Sequence, residues 1–387
     1  MTGTMLSGRN AAILADAGYA VTTARTNDQA LEMAQEDVRY TENYVLEQNL
    51  TTSVTPIGGI VGTSGNIVTE QAGFGTLLQR HAGIDREFIL VMRGTQTKID
   101  WLSNLNIGMT RGPTGTLVHT GFAAIYDSLR QDVKRMIAAA KPQRMHFVGH
   151  SLGGALATLS AVDFAQGKTC PSHLYTFGAP RVGGLALGGE ISRVIGDTRV
   201  KRVYAQSDPV PMIPLFPFFH AGPGTTGING GFSSITAAAH SMSGCYIPKM
   251  PGTGWPAAAA MPSKLDPDYW LTQAEKTNGI GSTMGYYFLG LALGGILPWL
   301  HATSAQVTAS LTMLDLLAEG LYRAASLAAQ VGKLLLRFVK SALRFAGGVA
   351  TAGLSLADIT VSFLRYVLGL MMGRVIQAAR SALQDIR

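Results

Sequence analysis

Charge is scarce in this chain: only 14% of its 387 residues are Asp, Glu, Lys or Arg. That excludes the charge-rich, weakly apolar composition of a disordered protein. Cysteine is scarcer still. Cys170 and Cys245 are too few for a disulfide framework; one bridge or two buried thiols both fit, and buried thiols are the expected state. The apolar run near the start, Ala11-Ala12-Ile13-Leu14, is too short for a signal peptide. This predicts a cytoplasmic chain, or one exported by a signal-independent route. No histidine or cysteine set has metal-ligand spacing, and there is no P-loop or dinucleotide fingerprint. Neither a metal nor an organic cofactor is therefore expected. No aromatic-interleaved basic patch marks a nucleic-acid module, so nucleic acid is not an expected partner.

What is present is glycine (46 residues) and apolar side chains (47%), in a length with room for two domains. The stretch that organises the rest runs from His146 to Ala157. A short apolar run leads into Gly149-His150-Ser151-Leu152-Gly153, and a small-residue helix is predicted to about Gln166. Strand, sharp turn and helix in that order describe a nucleophile elbow. Two glycines flank Ser151 because the tight turn leaves no room for a Cβ. The bare three-residue pattern arises often by chance, so its surroundings must carry the assignment.

Those surroundings read as alternating strands and helices. Thr26 with Gln29 suggests a capping box opening a helix to about Gln48, with Leu31, Val38 and Val45 on one stripe. From Thr51 to Ile67 short strands are expected, with turns at Gly58-Gly59 and Ser64-Gly65. Phe88 to Met92 is a buried-strand run without alternation. Helices and strands in succession imply a largely parallel sheet covered on both faces, an α/β fold.

The run ending in Arg93-Gly94-Thr95, followed by Asp100-Trp101, resembles the class 3 (fungal-type) lipases of the α/β-hydrolase superfamily. Further matches keep the family's order. Val118-His119-Thr120-Gly121-Phe122 resembles its "HxGF" helix start, and Phe177-Gly178-Ala179-Pro180-Arg181-Val182-Gly183 its "tFGxPRvG" turn. Asp208-Pro209-Val210-Pro211 matches the "DxVPxxP" segment. The resemblance covers about residues 70–247. It implies an α/β-hydrolase fold, Thr95 in the oxyanion hole and a lid over roughly Gln96–Leu105.

Ester hydrolysis needs a nucleophile, a base, a group orienting the base, and donors for the developing oxyanion. Ser151 is the expected nucleophile. In these folds the acid follows it in the chain and the histidine comes last. Asp208 follows a predicted strand. Taken locally it is an Asx turn before proline; its family position makes it the catalytic acid. His220 and His240 compete as base, and the resemblance favours His240, which precedes a short terminal segment as the family's late histidine does. The Leu152 N–H, just past the nucleophile, is the second expected oxyanion donor. His150 is expected to hydrogen-bond structurally, and His81, His119, His146, His173 and His301 to be structural.

Past residue 250 the composition changes. The expected division is a hydrolase domain at 1–250, a linker at 251–280 with polar helix-like sequence from Asp266 to Thr277, and an apolar helical region at 281–387. Met284–Leu300 is 17 residues without a charge but with four glycines, short of the 20 or so a bilayer span needs. Of the net charge of +7, the last 107 residues hold +5, nine Lys/Arg against four Asp/Glu. Lys333, Arg337, Lys340 and Arg344 recur at helical spacing, a basic amphipathic stripe. A membrane surface is the partner this implies; a soluble helical bundle with a solvated basic face is the other reading. The layout also resembles bacterial antibacterial lipase effectors with an added helical region, which implies a cognate immunity protein. The expected function is a serine hydrolase acting on lipid or phospholipid esters through an acyl-enzyme on Ser151. The alternative is a non-catalytic lipid-binding or membrane-inserting protein on a hydrolase-like fold.

Overall fold

The computed structural model describes residues 5–37, 54–64, 70–81, 84–94, 108–214, 218, 220, 224–232, 234–257, 266–277, 280–296, 313–347 and 353–384. They fall into two compact units. One comprises 1–230, 237–259 and 380–387, the other 231–236 and 260–379.

The first unit is built on a seven-stranded sheet. Its strands are β1 (Val54–Ser64), β2 (Glu70–Arg80), β3 (Glu87–Met92), β6 (Arg144–His150), β7 (Ser172–Phe177), β8 (Val200–Ala205) and β9 (Thr225–Ile228). They lie in the order β1-β2-β3-β6-β7-β8-β9. From β3 onward the pairing is parallel, and β1 and β2 add an antiparallel edge. A separate two-stranded ribbon joins β4 (Met109–Arg111) to β5 (Leu117–His119). Strands β3, β6 and β7 are buried along their whole length, which is why they read as unbroken apolar runs rather than alternating ones.

Helices cover both faces. On one side α1 (Gly8–Ala17) packs on β3, β6 and β7, its first turn capped by the Ser7 side chain accepting from Asn10 N–H. On the other lie α3 (Thr120–Ala140), α4 (Leu152–Ala165) and α5 (Leu185–Val194). Helix α4 is buried nearly all round, and its small residues allow the close approach to the sheet. A largely parallel sheet covered this way, with an elbow after its central strand, is the α/β-hydrolase fold. The strands' C-terminal ends deliver Ser151, Gly178 and Asp208 to one rim, where ligands bind in open α/β sheets.

At the opposite end of β3 sits a buried ionic cluster. The Glu87 carboxylate accepts from Arg80 (2.6 Å), His146 (2.6 Å) and Arg144 (3.2 Å). His146 also meets the Tyr175 hydroxyl at 3.1 Å. Burial alone would raise the Glu87 carboxyl, but the bonds from His146 and Arg80 outweigh it and hold it down at about 2.

Three expectations need correcting here. Helix α2 (Asn27–Glu36) is capped at Thr26 as its spacing implies, but it ends at Glu36 rather than near Gln48; Val38 and Val45 lie outside the described residues. Gly58-Gly59 is not a turn. Strand β1 runs straight through it, with register shifts at Pro56/Gly58 and Ile60/Val61. Glycine is needed there because a Cβ on Gly59 would lie 2.3 Å from the Asn27 carbonyl of α2. Nor is 251–280 a free linker. Gly254 O accepts from Gly8 N–H at 2.8 Å, and Trp255 stacks on Tyr175 with ring centres 5.3 Å apart. Farther on, the helix-like sequence from Asp266 to Thr277 does form a helix, α6 (Pro267–Lys276), capped by Asp266.

The second unit is helical: α6, α7 (Thr283–Ile296), α8 (Met313–Leu327), α9 (Ala329–Ala346) and, up to residue 379, α10 (Val361–Gln384). Among the described residues no helix is long and apolar enough to cross a membrane. Helix α9 buries Val331, Leu335, Phe338 and Ala342 and ends at Gly347 in the left-handed region. Its basic stripe is divided. Arg337 bonds both Glu275 oxygens at 2.8 Å, and reaches Asp268 and the Thr272 hydroxyl on α6. Lys333 and Arg344 are exposed. Two of the four cations thus reach α6, Arg337 through its ion pairs and Arg344 through a hydrogen bond to the Glu275 carbonyl at 3.3 Å.

Candidate active site

Ser151 occupies the turn between β6 and α4 with φ 58° and ψ −134°, a conformation an L-residue rarely adopts. The turn closes because a Cβ on Gly149 would lie 2.2 Å from Gly153 O, and one on Gly153 would lie 2.1 Å from Met92 O. The glycines on either side of the serine therefore answer to steric demand from two different elements, Gly149 from the first turn of α4 and Gly153 from the end of β3. Leu152 is the first residue of α4, where an N–H has no partner inside the helix.

Asp208 and His240 come together although 32 residues separate them. His240 Nδ1 lies 2.8 Å from Asp208 Oδ2. A carboxylate accepts, so Nδ1 carries the proton and Nε2 keeps its lone pair. Asp208 follows β8. Its Oδ1 accepts from Val210 N–H at 2.9 Å, so the local Asx turn and the long-range bond to histidine are both made, one by each oxygen. Ser151, Asp208 and His240 are all fully buried. Ser151 Oγ and His240 Nε2 are buried with no hydrogen-bond partner among the described residues. They are a hydroxyl and a basic nitrogen, the two atoms a proton transfer would join, and apo sites commonly leave that contact open.

What joins the three is Gly178. Ser151 N–H donates to Phe177 O at 3.0 Å, and the next residue is Gly178, at φ 55°. A Cβ there would lie 2.8 Å from Asp208 Oδ2, 3.0 Å from the Tyr246 hydroxyl and 3.1 Å from His240 Cε1. Tyr246 is a residue that sequence reasoning passed over. Its hydroxyl donates to Asp208 Oδ2 at 2.5 Å and accepts from Ala205 N–H at 3.0 Å. Its position six residues past His240 carried no motif that could have revealed it.

The other histidines separate cleanly. His150 Nε2 donates to the His240 carbonyl at 2.9 Å, and its Nδ1 accepts from the Tyr19 hydroxyl at 2.8 Å. Burial, then the neighbouring His240, push its pKa well below the ordinary value, so it stays neutral. His220 stacks on Tyr204 with ring centres 6.0 Å apart, and no contact joins it to Asp208 among the described residues. His146 serves the Glu87 cluster and His119 caps α3. Thr95 and the stretch Gln96–Leu105 lie outside the described residues. No group of three or more His, Cys, Asp and Glu able to hold a metal occurs among the described residues.

Residues 89–218 match the family described as "Lipase (class 3)". This stretch is a class 3 lipase domain. It contains the elbow and Asp208, while His240 and Tyr246 lie beyond the matched residues. A secreted mono- and diacylglycerol lipase of Fusarium solani is 31% identical over 179 residues, 44% of this chain and 50% of its own. A chloroplastic phospholipase A(1) of Arabidopsis thaliana is 30% identical over 153 residues, 33% of this chain and 34% of its own. The chain thus spans half the length of its Fusarium relative, and less of the plant one. Among solved structures, a lipase from Rhizopus microsporus var. chinensis superposes with TM-score 0.42 at 24% identity, over 57% of this chain and 73% of that one.

Proposed function

We propose that the lipase domain hydrolyses carboxylic ester bonds of lipids, acylglycerols or phospholipids, through an acyl-enzyme on Ser151. The observation that carries this is the pair of unpartnered buried atoms, Ser151 Oγ on a strained elbow and His240 Nε2 on a histidine oriented by Asp208. In the forward step Ser151 Oγ attacks the ester carbonyl and its proton passes to His240 Nε2. The carbonyl oxygen takes up the electron pair and is met by the Leu152 N–H and by Thr95, the residue after Gly94. Collapse expels the alcohol, which takes the proton from His240. Water then repeats the sequence to release the acid. Asp208 stabilises the imidazolium that forms between the two proton transfers, and the Tyr246 bond keeps that carboxylate in place. Fully buried, this charge develops where a fixed hydrogen bond is worth more than in water.

The substrate is met at a lipid surface, to which the basic excess of residues 281–387 supplies attraction. Labelling of purified protein by a fluorophosphonate, lost in Ser151→Ala, together with release of fatty acid from emulsified acylglycerol or phospholipid vesicles, tests the reading. Lipid binding without labelling and without acid release would replace it with the non-catalytic alternative.

A further inference from the structure

Away from the triad, a cavity of about 410 Å³ lies between α3 and α4, a volume in the range of small-molecule sites. Its α3 wall is the stripe Val133, Ile137 and Lys141, with Lys134 and Ala138 beside it, positions that recur at helical spacing. Phe164 supplies the α4 wall, backed by Phe147 of β6 with ring centres 5.8 Å apart. Helix α3 stops at this place: Lys141 caps it in the left-handed region, at φ 47°, and Pro142 cannot continue it. Leu152 and Phe164 stand near opposite ends of α4, roughly 18 Å apart along its axis. The cavity is therefore no part of the ester site.

Its charged groups do not balance. Asp163 Oδ2 accepts from the Tyr126 hydroxyl at 2.8 Å, from Arg130 Nε at 2.6 Å and from Lys134 Nζ at 3.2 Å, and Oδ1 accepts from Arg130 Nη2 at 2.9 Å. Burial alone would raise this carboxyl, but the Arg130 and Tyr126 bonds outweigh it and hold it below the usual carboxylate range. Asp163 is thus ionised, and Arg130 by itself neutralises it. The charges of Lys134 and Lys141 are left over at the cavity wall. Both side chains are exposed, and Lys141 makes no ion pair among the described residues.

An apolar wall with cations beside it fits a guest with one apolar chain and one negative head. If each non-hydrogen atom takes roughly 30 Å³, the share of a water molecule in the liquid, the cavity holds about a dozen of them. We propose that it binds one free fatty acid the size of decanoic acid, its chain on Val133, Ile137 and Phe164 and its carboxylate at Lys134 and Lys141. Lipids with two or three chains exceed the volume, and a cationic amphiphile would meet like charge. The source of the ligand rests on the hydrolase reading, in which fatty acid is the product. The site then registers product at the far end of the helix whose first turn follows the nucleophile.

The test is calorimetric titration of sodium decanoate into the full chain carrying Ser151→Ala, which binds without turnover. Ala138→Trp fills the cavity from an exposed position and leaves the elbow untouched, so it separates this site from an acyl chain seated at Ser151. Decanoate should bind at a saturable site that Ala138→Trp weakens on the order of tenfold or more. Lys134→Gln with Lys141→Gln should weaken it several-fold, and decanol, the same chain without the charge, should bind on the order of tenfold less tightly. With Ser151 restored, Ala138→Trp should keep soluble-ester turnover, which shows that it folds; if it does not fold, the lysine pair carries the test. No decanoate binding, decanol bound as tightly as decanoate, or decanoate binding indifferent to the cavity variants would each overturn the proposal, the last placing the acid in the active site. Cavity binding intact in a chain that takes no fluorophosphonate label would instead uphold the site, sink the hydrolase reading, and leave fatty acid as a ligand from another source.

Discussion

At the scale of single residues, the site rests on which histidine Asp208 orients. Ser151→Ala should lower kcat on the order of 10⁴-fold or more with the fold intact, since it removes one hydroxyl. His240→Ala should match it, and the double variant should be no worse, because such residues act as a unit. His220→Ala, whose ring stacks on Tyr204 away from Asp208, should keep activity within a few-fold in a soluble-ester assay. A dead His220→Ala beside an active His240→Ala would reverse the assignment. Tyr246→Phe is the subtler case. It removes one hydrogen bond to a buried carboxylate, a bond of a kind worth about 1.5–3 kcal/mol. Steady-state kinetics should show the loss in kcat, with KM little changed, because the tyrosine holds Asp208 and does not contact substrate.

Among elements, the parallel strands carry two different devices at their two ends. The rim end depends on Gly178 staying glycine: φ 55° and an oxygen 2.8 Å from any added Cβ make Gly178→Ala both strained and disruptive to Asp208. The expected outcome is lost activity with a lowered unfolding midpoint. At the far end, Glu87 ties β3 to β2 and β6 through Arg80, Arg144 and His146. Glu87→Gln leaves cations buried without their partner, and breaking such a network costs about 3–5 kcal/mol, readable by urea unfolding. The sign with pH follows from the depressed carboxyl. The folded value, about 2, lies below the unfolded one, so the network's stability is complete above the ordinary carboxylate range. It is lost as pH falls through that range toward about 2. Wild type should therefore lose stability on acidification more steeply than Glu87→Gln, and parallel slopes would count against the network.

For the whole molecule, the question is what the basic helical unit does. Arg337 is committed to Glu275 and Asp268, so Arg337→Gln should lower the stability of the helical unit, as read by limited proteolysis, and leave soluble-ester turnover unchanged. Lys333, Lys340 and Arg344 make no ion pair among the described residues. If they meet lipid, replacing all three with Gln should weaken binding to anionic vesicles by about 1 kcal/mol for each cation near the surface. Wild-type binding should fall as salt rises. Vesicle binding indifferent to both salt and the triple change would leave the stripe as a solvated face.

Several features were determined by the sequence alone because they are local. The unbroken run Phe88–Met92 is a buried strand, Thr26 opens a helix, and Gly-His-Ser-Leu-Gly makes a sharp turn; each depends on neighbours a few residues away. The order of motifs was also legible, and with it the α/β-hydrolase fold. Local reading failed where a distant surface overrode it. Gly58-Gly59 looks like a turn until α2 is seen lying against β1, and residues 251–255 look like a linker until Trp255 meets Tyr175. The same limit governed the site. Only the folded chain brings His240 to Asp208 across 32 residues, sets Tyr246 on the same oxygen and makes Gly178 the hub of all three. Only packing converts Arg337 from a surface cation into a tie between helices, because side-chain pairing is decided by which elements meet, and that information is spread over the whole core rather than written at any one position.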